Sequence, residues 1–306
     1  MGEILWDVFE DAEFLGGAPL NFSAAAERLG HSVPLITAVG DDQRGHRAIE
    51  SMQALGLSTE FVQILPGRET GTALITTDSQ GNASFFIQRP AVFDAILVDE
   101  ARLTTIAQVR PDWLYFGTLA PFHPPTEELL HRILDRLPDV QCFYDLNLRQ
   151  GHWELALVER LSDLASIVKL NESEAETLFR LTQAGQEFSL EGFCRHWSSA
   201  HAVEMICVTL GERGCAIFET NVFQQFDGYA VRVVDTVGAG DAFAAAFLHG
   251  HELGWPTARA AAFANALGAQ VASRAGATPA WTVDECWEMV ALQSPTAVTD
   301  PTRMNE

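Results

Sequence analysis

The chain has 306 residues, 47% of them hydrophobic, and a formal net charge of −22. That length and apolar share suit one large α/β domain, or two modest ones, with a substantial core. The acidity argues against a nucleic-acid binder or a ligand of anionic membranes, both of which need a basic face. An anionic small-molecule substrate stays open, because a helix mouth or a few Arg and Lys can set a local field against the net charge.

Residues 3–14 read as a short strand and a more polar one, ending in the turn at Gly16-Gly17. Only Met1-Gly2-Glu3 precede the strand-like Ile4-Leu5-Trp6, so we expect a shortened first strand. A helix is predicted over 20–29, stopped by Gly30. An apolar strand run follows at 33–39, and a helix at 44–55, closed by Gly56. Three β-rich runs then occupy 59–65, 72–77 and 83–88, the last two joined by a hairpin loop at 78–82. This block interrupts a strand–helix alternation and is expected to form a small sheet over a site. From residue 99 the alternation resumes. Helices are predicted at 99–108, after Pro124-Pro125, and at 153–165 and 172–180. Strands are predicted at 113–117, 141–146, 166–170 and 204–210. Two further β runs cover 215–219 and 230–234. Helices at 240–252, 257–273 and 282–292 close the domain, with a capping-box pattern at Thr282–Glu285. The tail 293–306 has little periodicity and is expected to be disordered.

The five cysteines (Cys142, Cys194, Cys207, Cys215 and Cys286) are scattered without metal-ligand spacing. They predict neither a zinc site nor a disulfide framework, and they fit the reducing cytoplasm. No signal peptide and no bilayer-spanning run is expected.

Strands alternating with helices predict a parallel sheet covered on both faces, with ligands at the carboxyl ends of the strands. The polar clusters fall on that rim. The most telling is VRVVDTVGAGD, Val231–Asp241: a strand pattern, a glycine turn, an acid and an Ala-rich helix. Small residues let N–H groups approach an oxyanion at a helix N-terminus. Asp241 beside them can take a proton from a hydroxyl. Such a stretch is also ordinary turn and cap chemistry. Asp145, Asn147 and Arg149 alternate, so an extended chain would put them on one face. Arg149 there is either a phosphate partner or half of a structural ion pair. Asn171 and Glu174 are i, i+3 at a helix start, which also suits simple capping.

No Walker A, GxSxG, HExxH or GxGxxG pattern occurs. Gly16-Gly17-Ala18-Pro19-Leu20-Asn21-Phe22-Ser23, with Gly30 and Gly40 behind it, resembles the first signature of the PfkB (ribokinase-like) carbohydrate kinases. Asp235-Thr236-Val237-Gly238-Ala239-Gly240-Asp241 resembles the second. An NxxE motif (Asn171 to Glu174) and a TLG turn (Thr209 to Gly211) stand between them in the family's order. The likeness covers about 2–290, and GEILWDVF with FLGGAPLNF resembles bacterial fructokinases most. Ala245 departs from the glycine of many members.

The resemblance implies a ribokinase-like three-layer α/β sandwich, with a mostly parallel central sheet and a small β-sheet lid. One kinase domain would span 1–292, with the lid drawn from about 7–17 and 59–90. The implied activity is transfer of the γ-phosphoryl of Mg-ATP to a sugar hydroxyl. Fructose is the first candidate, with 2-keto-3-deoxygluconate, ribose or a nucleoside as alternatives and an idle sugar-binding relative as the competing class. Asp241 would be the general base, and Gly238, Ala239 and Gly240 the anion hole. Asp7, Gly17, Asn21, Gln88, Arg89, Asp145, Asn147 and Arg149 would hold the acceptor or its phosphate. Asn171, Thr209, Gly211, Gly214, Gly240 and Asn265 would shape the nucleotide site. Glu174 would act on Mg²⁺ through water, and Asp235 and the Val237 carbonyl on K⁺. A homodimer through the lid is also implied.

Overall fold

The computed structural model describes residues 1–77 and 83–293. The predicted hairpin loop at 78–82 and nearly all of the predicted tail lie outside the described residues.

Strand β1 (Leu5–Val8) runs antiparallel to β2 (Glu13–Gly16) and parallel to β5 (Thr72–Thr77), which pairs with β6 (Ala83–Ile87). These four strands make one sheet, ordered β2-β1-β5-β6. β4 (Val62–Leu65), expected within the lid block, instead pairs parallel with β3 (Thr37–Gly40). Val62 is drawn there by a core of Trp6, Leu20, Val39 and Met52.

The central sheet is ordered β12-β11-β10-β9-β8-β7. β7 (Trp113–Gly117), β8 (Gln141–Asp145), β9 (Ile167–Asn171) and β10 (Met205–Thr209) are parallel, as strand–helix alternation demands. β11 (Cys215–Glu219) and β12 (Val222–Phe226) add an antiparallel edge. The β run expected at 230–234 is not a strand. Val233 and Val234 are exposed, and the backbone N–H of Val234 bonds to Ala272 rather than to a sheet edge.

Helices cover both faces. Tyr115, Phe143, Ile167 and Cys207 pack on α1 (Ala18–Arg28), α8 (Ala239–Glu252) and α9 (Thr257–Ala272) through Phe22, Phe243, Phe247 and Phe263. Small residues such as Ala244, Ala246, Ala261 and Ala264 let α8 and α9 pack closely. The alternate strand residues Phe116, Tyr144, Val168 and Ile206 face α3 (Glu100–Val109), α4 (Pro124–Arg136), α5 (Leu155–Ser162), α6 (Glu172–Thr182) and α7 (Leu190–His201). The period of two along each strand thus sends its residues into two separate cores. α2 (Gln43–Ala54) packs on β3, and α10 (Val283–Gln293) on α9.

α7 lies in a stretch that carries no predicted element. Ser189 caps it, and Phe193, Cys194 and Trp197 are its buried face. At the N-terminus the Met1 amine donates to the Tyr115 carbonyl at 2.7 Å, and the Gly2 N–H donates to Ile36 at 3.1 Å. The first residues therefore stitch β7 to the segment ahead of β3.

Candidate active site

The site is built around the first turn of α8. Gly238 caps it with φ 78°, and a Cβ there would sit 2.2 Å from the Ala277 carbonyl oxygen, so the position needs glycine. Of the anion hole expected from Gly238, Ala239 and Gly240, the Ala239 N–H donates to the Thr236 carbonyl at 3.3 Å, and the N–H groups left in the first turn without an internal partner are those of Gly240 and Asp241. Together with the positive end of the helix dipole they make an anion-attracting mouth.

Asp241 closes that turn and is only 7% exposed. The Asn21 amide of α1 donates to Asp241 Oδ2 at 2.9 Å, and the Asn147 amide to Oδ1 at 3.4 Å. Burial pushes the Asp241 pKa up, and the Asp145 carboxylate adds to the rise; Lys169, Asn21 and Arg149 oppose it. A carboxylate held up in this way but still supported by amides suits a proton acceptor.

The acceptor side comes from β1 and α1. Gly17 precedes α1 with φ 120°, and a Cβ there would lie 2.4 Å from the Glu3 carbonyl oxygen. This close approach carries Asn21, one turn on, to Asp241. Asn21 Oδ1 is buried without a partner. Asp7 is half-buried on β1; burial lifts its pKa to about 6, against the pull of Arg149. Arg149 itself is exposed, and its charge also reaches Asp241 and Glu3.

Three expectations change. The common face of Asp145, Asn147 and Arg149 does not form, because β8 ends at Asp145 and Asn147 has φ 48°. Asp145 is 1% exposed, and its oxygens are taken by Lys169 Nζ, 2.9 Å from each, and by the Tyr115 hydroxyl at 2.9 Å. It lies under the site as an internal partner. Gln88 is exposed, and Arg89 is committed to an ion pair with Asp94 and a hydrogen bond to the Leu119 carbonyl at 2.8 Å. Its cation also lies over Phe93 and Phe122. Arg89 therefore anchors the end of β6.

At the expected nucleotide side, Asn171 and Glu174 form a reciprocal capping box. Asn171 Oδ1 accepts from the Glu174 N–H at 2.9 Å, and Glu174 Oε2 from the Asn171 N–H at 2.8 Å. Glu174 Oε1 also accepts from the Leu148 N–H at 2.7 Å, tying α6 to the loop after β8. Thr209 ends β10, and Gly211 and Gly214 take positive φ in the turn that follows. Asn265 donates to the carbonyls of Phe226 and Asp227, fixing the end of β12. Asp235 accepts from the N–H groups of Val237 and Gly276, which clamps the loop leading to α8.

Glu3, Tyr115 and Lys169 join the site, though none is among the predicted site residues. The signal for Lys169 was present: a lysine inside the apolar run SIVKL. A cavity of about 430 Å³ beside Met1, Ile36 and Tyr115 has walls that include none of the predicted site residues.

Residues 3–283 match the family model described as pfkB family carbohydrate kinase. The Arabidopsis thaliana protein named "Probable fructokinase-5" is 29% identical over 282 residues, covering 87% of this chain and 84% of its own. Fructokinase-1 of Oryza sativa subsp. japonica is also 29% identical, covering 86% and 84%. The fold is similar to that of a fructokinase from Xylella fastidiosa solved with bound ATP, with a TM-score of 0.82 at 21% identity, covering 96% of this chain and 97% of that one. It is similar also to an E. coli protein assigned as ribokinase II in complex with ATP and Mg²⁺, with a TM-score of 0.81 at 22% identity, covering 95% and 97%. A model matched across most of the chain, with both signatures meeting at the mouth of α8, makes this protein a member of the pfkB family of carbohydrate kinases, a phosphotransferase acting on a sugar hydroxyl.

Proposed function

We propose that the chain is an ATP-dependent fructokinase whose general base is Asp241. The observation that carries this reading is the buried Asp241 carboxylate, held by two Asn amides beside the open N–H groups of α8. Asp241 takes the proton of the acceptor hydroxyl as its oxygen bonds to the γ-phosphorus. The bond from that phosphorus to the bridging oxygen breaks, and ADP leaves. The N–H groups of Gly240 and Asp241 meet charge on the transferring phosphoryl. Asp7 and the unpartnered Asn21 Oδ1 are the acceptors for sugar hydroxyls.

Among the described residues no cluster of three or more His, Cys, Asp or Glu could cage a metal. Each oxygen of the buried Glu174 carboxylate accepts one backbone N–H and keeps a lone pair, so Glu174 would hold Mg²⁺ through the ion's waters. Such an ion would supply charge neutralisation at the phosphates. Asp235 and the Val237 carbonyl are the corresponding choice for K⁺. Leu74 and Phe86, exposed on neighbouring lid strands, support a homodimer through the lid. No helix among the described residues is long and apolar enough to cross a membrane; cytoplasmic residence is part of the proposal.

The test is ADP release with Mg-ATP and a panel of fructose, 2-keto-3-deoxygluconate, ribose and nucleosides. Fructose is expected to give the highest kcat/KM. The exposed Arg149, whose charge reaches Asp7 and Asp241, favours a carboxylate-bearing acceptor as the second reading. A preference for 2-keto-3-deoxygluconate would replace the first reading with that one.

A further inference from the structure

We infer that Lys169 is a positioning residue of the phosphoryl site, a fixed buried cation set against the first turn of α8. This rests on the kinase reading above.

Strand register brings the lysine there. Asp145 of β8 pairs with Lys169 of β9, and both share the sheet face of Phe143 and Ile167, which packs beneath α8. Lys169 is 5% exposed. Its ammonium lies 3.4 Å from the point a Cβ on Gly240 would occupy. It therefore lies beside Gly240 on one side and holds Asp145 on the other. The charged and titratable groups around it are Asp145 from β8, Asp241 from α8 and Glu174 from α6. Tyr115 of β7 reaches the same Asp145 carboxylate, and Arg149 and Glu3 complete the surroundings of Asp241.

A helix N-terminus is already positive, and a cation placed beside it is unfavourable in the empty protein. Buried ion pairs, moreover, are often replaceable by apolar residues without loss of stability. The arrangement gains its value when an anion arrives. The N–H groups and the buried ammonium then act on the same charge, and a buried charge is screened little by solvent. Asp145 holds Lys169 in place and offsets its charge between turnovers. Because the charge acts on the transferring phosphoryl, it affects kcat more than sugar binding.

The test compares D145N, K169M and D145N/K169M with wild type, using initial rates with fructose and Mg-ATP and urea unfolding to count folded enzyme. Removing a partner that supports a site typically costs about 10- to 100-fold. The expected result is a kcat for D145N/K169M about tenfold or more below that of D145N, with the sugar KM little changed. If Lys169 only neutralises Asp145, the order reverses, because the double variant leaves no unpaired charge; that result overturns the inference. Should the double variant not fold, D145N against K169M decides: D145N keeps the higher kcat if the inference holds, and equal losses overturn it. A wild type inactive on every acceptor overturns the functional reading and this inference together. An active wild type with the reversed order overturns the inference alone.

Discussion

Glu3→Gln should change how stability depends on pH. Glu3 is 7% exposed, and Oε2 has no partner. Burial pushes its pKa from 4.5 to about 7, with its own backbone N–H and Arg149 pulling the other way. A carboxyl whose pKa rises on folding binds more protons when folded than when unfolded. Its contribution is therefore fully present below pH 4.5 and is lost as the pH rises through 7. A change of that size corresponds to about 3 kcal/mol. The Met1 amine works in the opposite direction. Burial lowers its pKa from 8.0 to about 5, so the unfolded chain binds the extra proton and stability recovers between pH 5 and 8, by about 4 kcal/mol. In the wild type the two largely cancel. In Glu3→Gln only the amine is left, and stability should climb from pH 5 to 8. Urea unfolding of both proteins, each with a free Met1 amine, at intervals from pH 4.5 to 8 measures the difference directly. The variant should gain on the wild type by about 3 kcal/mol across that range. Parallel curves would mean that Glu3 is not held in a dry environment, and the reasoning would fail.

Asn21→Ala removes the amide that favours ionised Asp241. We expect kcat to fall about tenfold or more, and the acid limb of the kcat–pH profile to move to higher pH; an unmoved limb would count against the contact. Gly17→Ala forces a Cβ into the Glu3 carbonyl at positive φ and should cost at least about 2 kcal/mol in urea unfolding. Arg89→Ala should cost about 3 kcal/mol of stability, because it leaves Asp94 buried without its partner. It should leave the sugar KM nearly unchanged; a large rise in KM would return Arg89 to the acceptor site.

The parts of this protein set by local chemistry could be read from its sequence. Gly238-Ala239-Gly240-Asp241 announces a helix mouth, because Gly238 takes a positive φ that few other residues tolerate. Asn171 and Glu174 are three apart at a helix start, and they cap it. The alternation of apolar strands and helices led to a parallel sheet, which the structure contains from β7 to β10. What could not be read depends on contacts distant in sequence. Asp145 looks like a rim acid until Lys169 and Tyr115, on adjacent strands, fill its oxygens. Asn147 breaks an alternation that holds only in extended chain. Arg89 is claimed by Asp94, five residues on, through a turn that periodicity does not describe. Val231–Val234 has strand composition, but β12 already forms the sheet's edge.

If Asp241 accepts the proton of the sugar hydroxyl, an amide in its place leaves the reaction without a base. The most direct measurement is the initial rate of ADP release by Asp241→Asn with saturating fructose and Mg-ATP, on protein whose urea unfolding matches the wild type. The kcat is expected to fall by about 10² or more, with fructose still bound. A variant that turns over at close to the wild-type rate would contradict it.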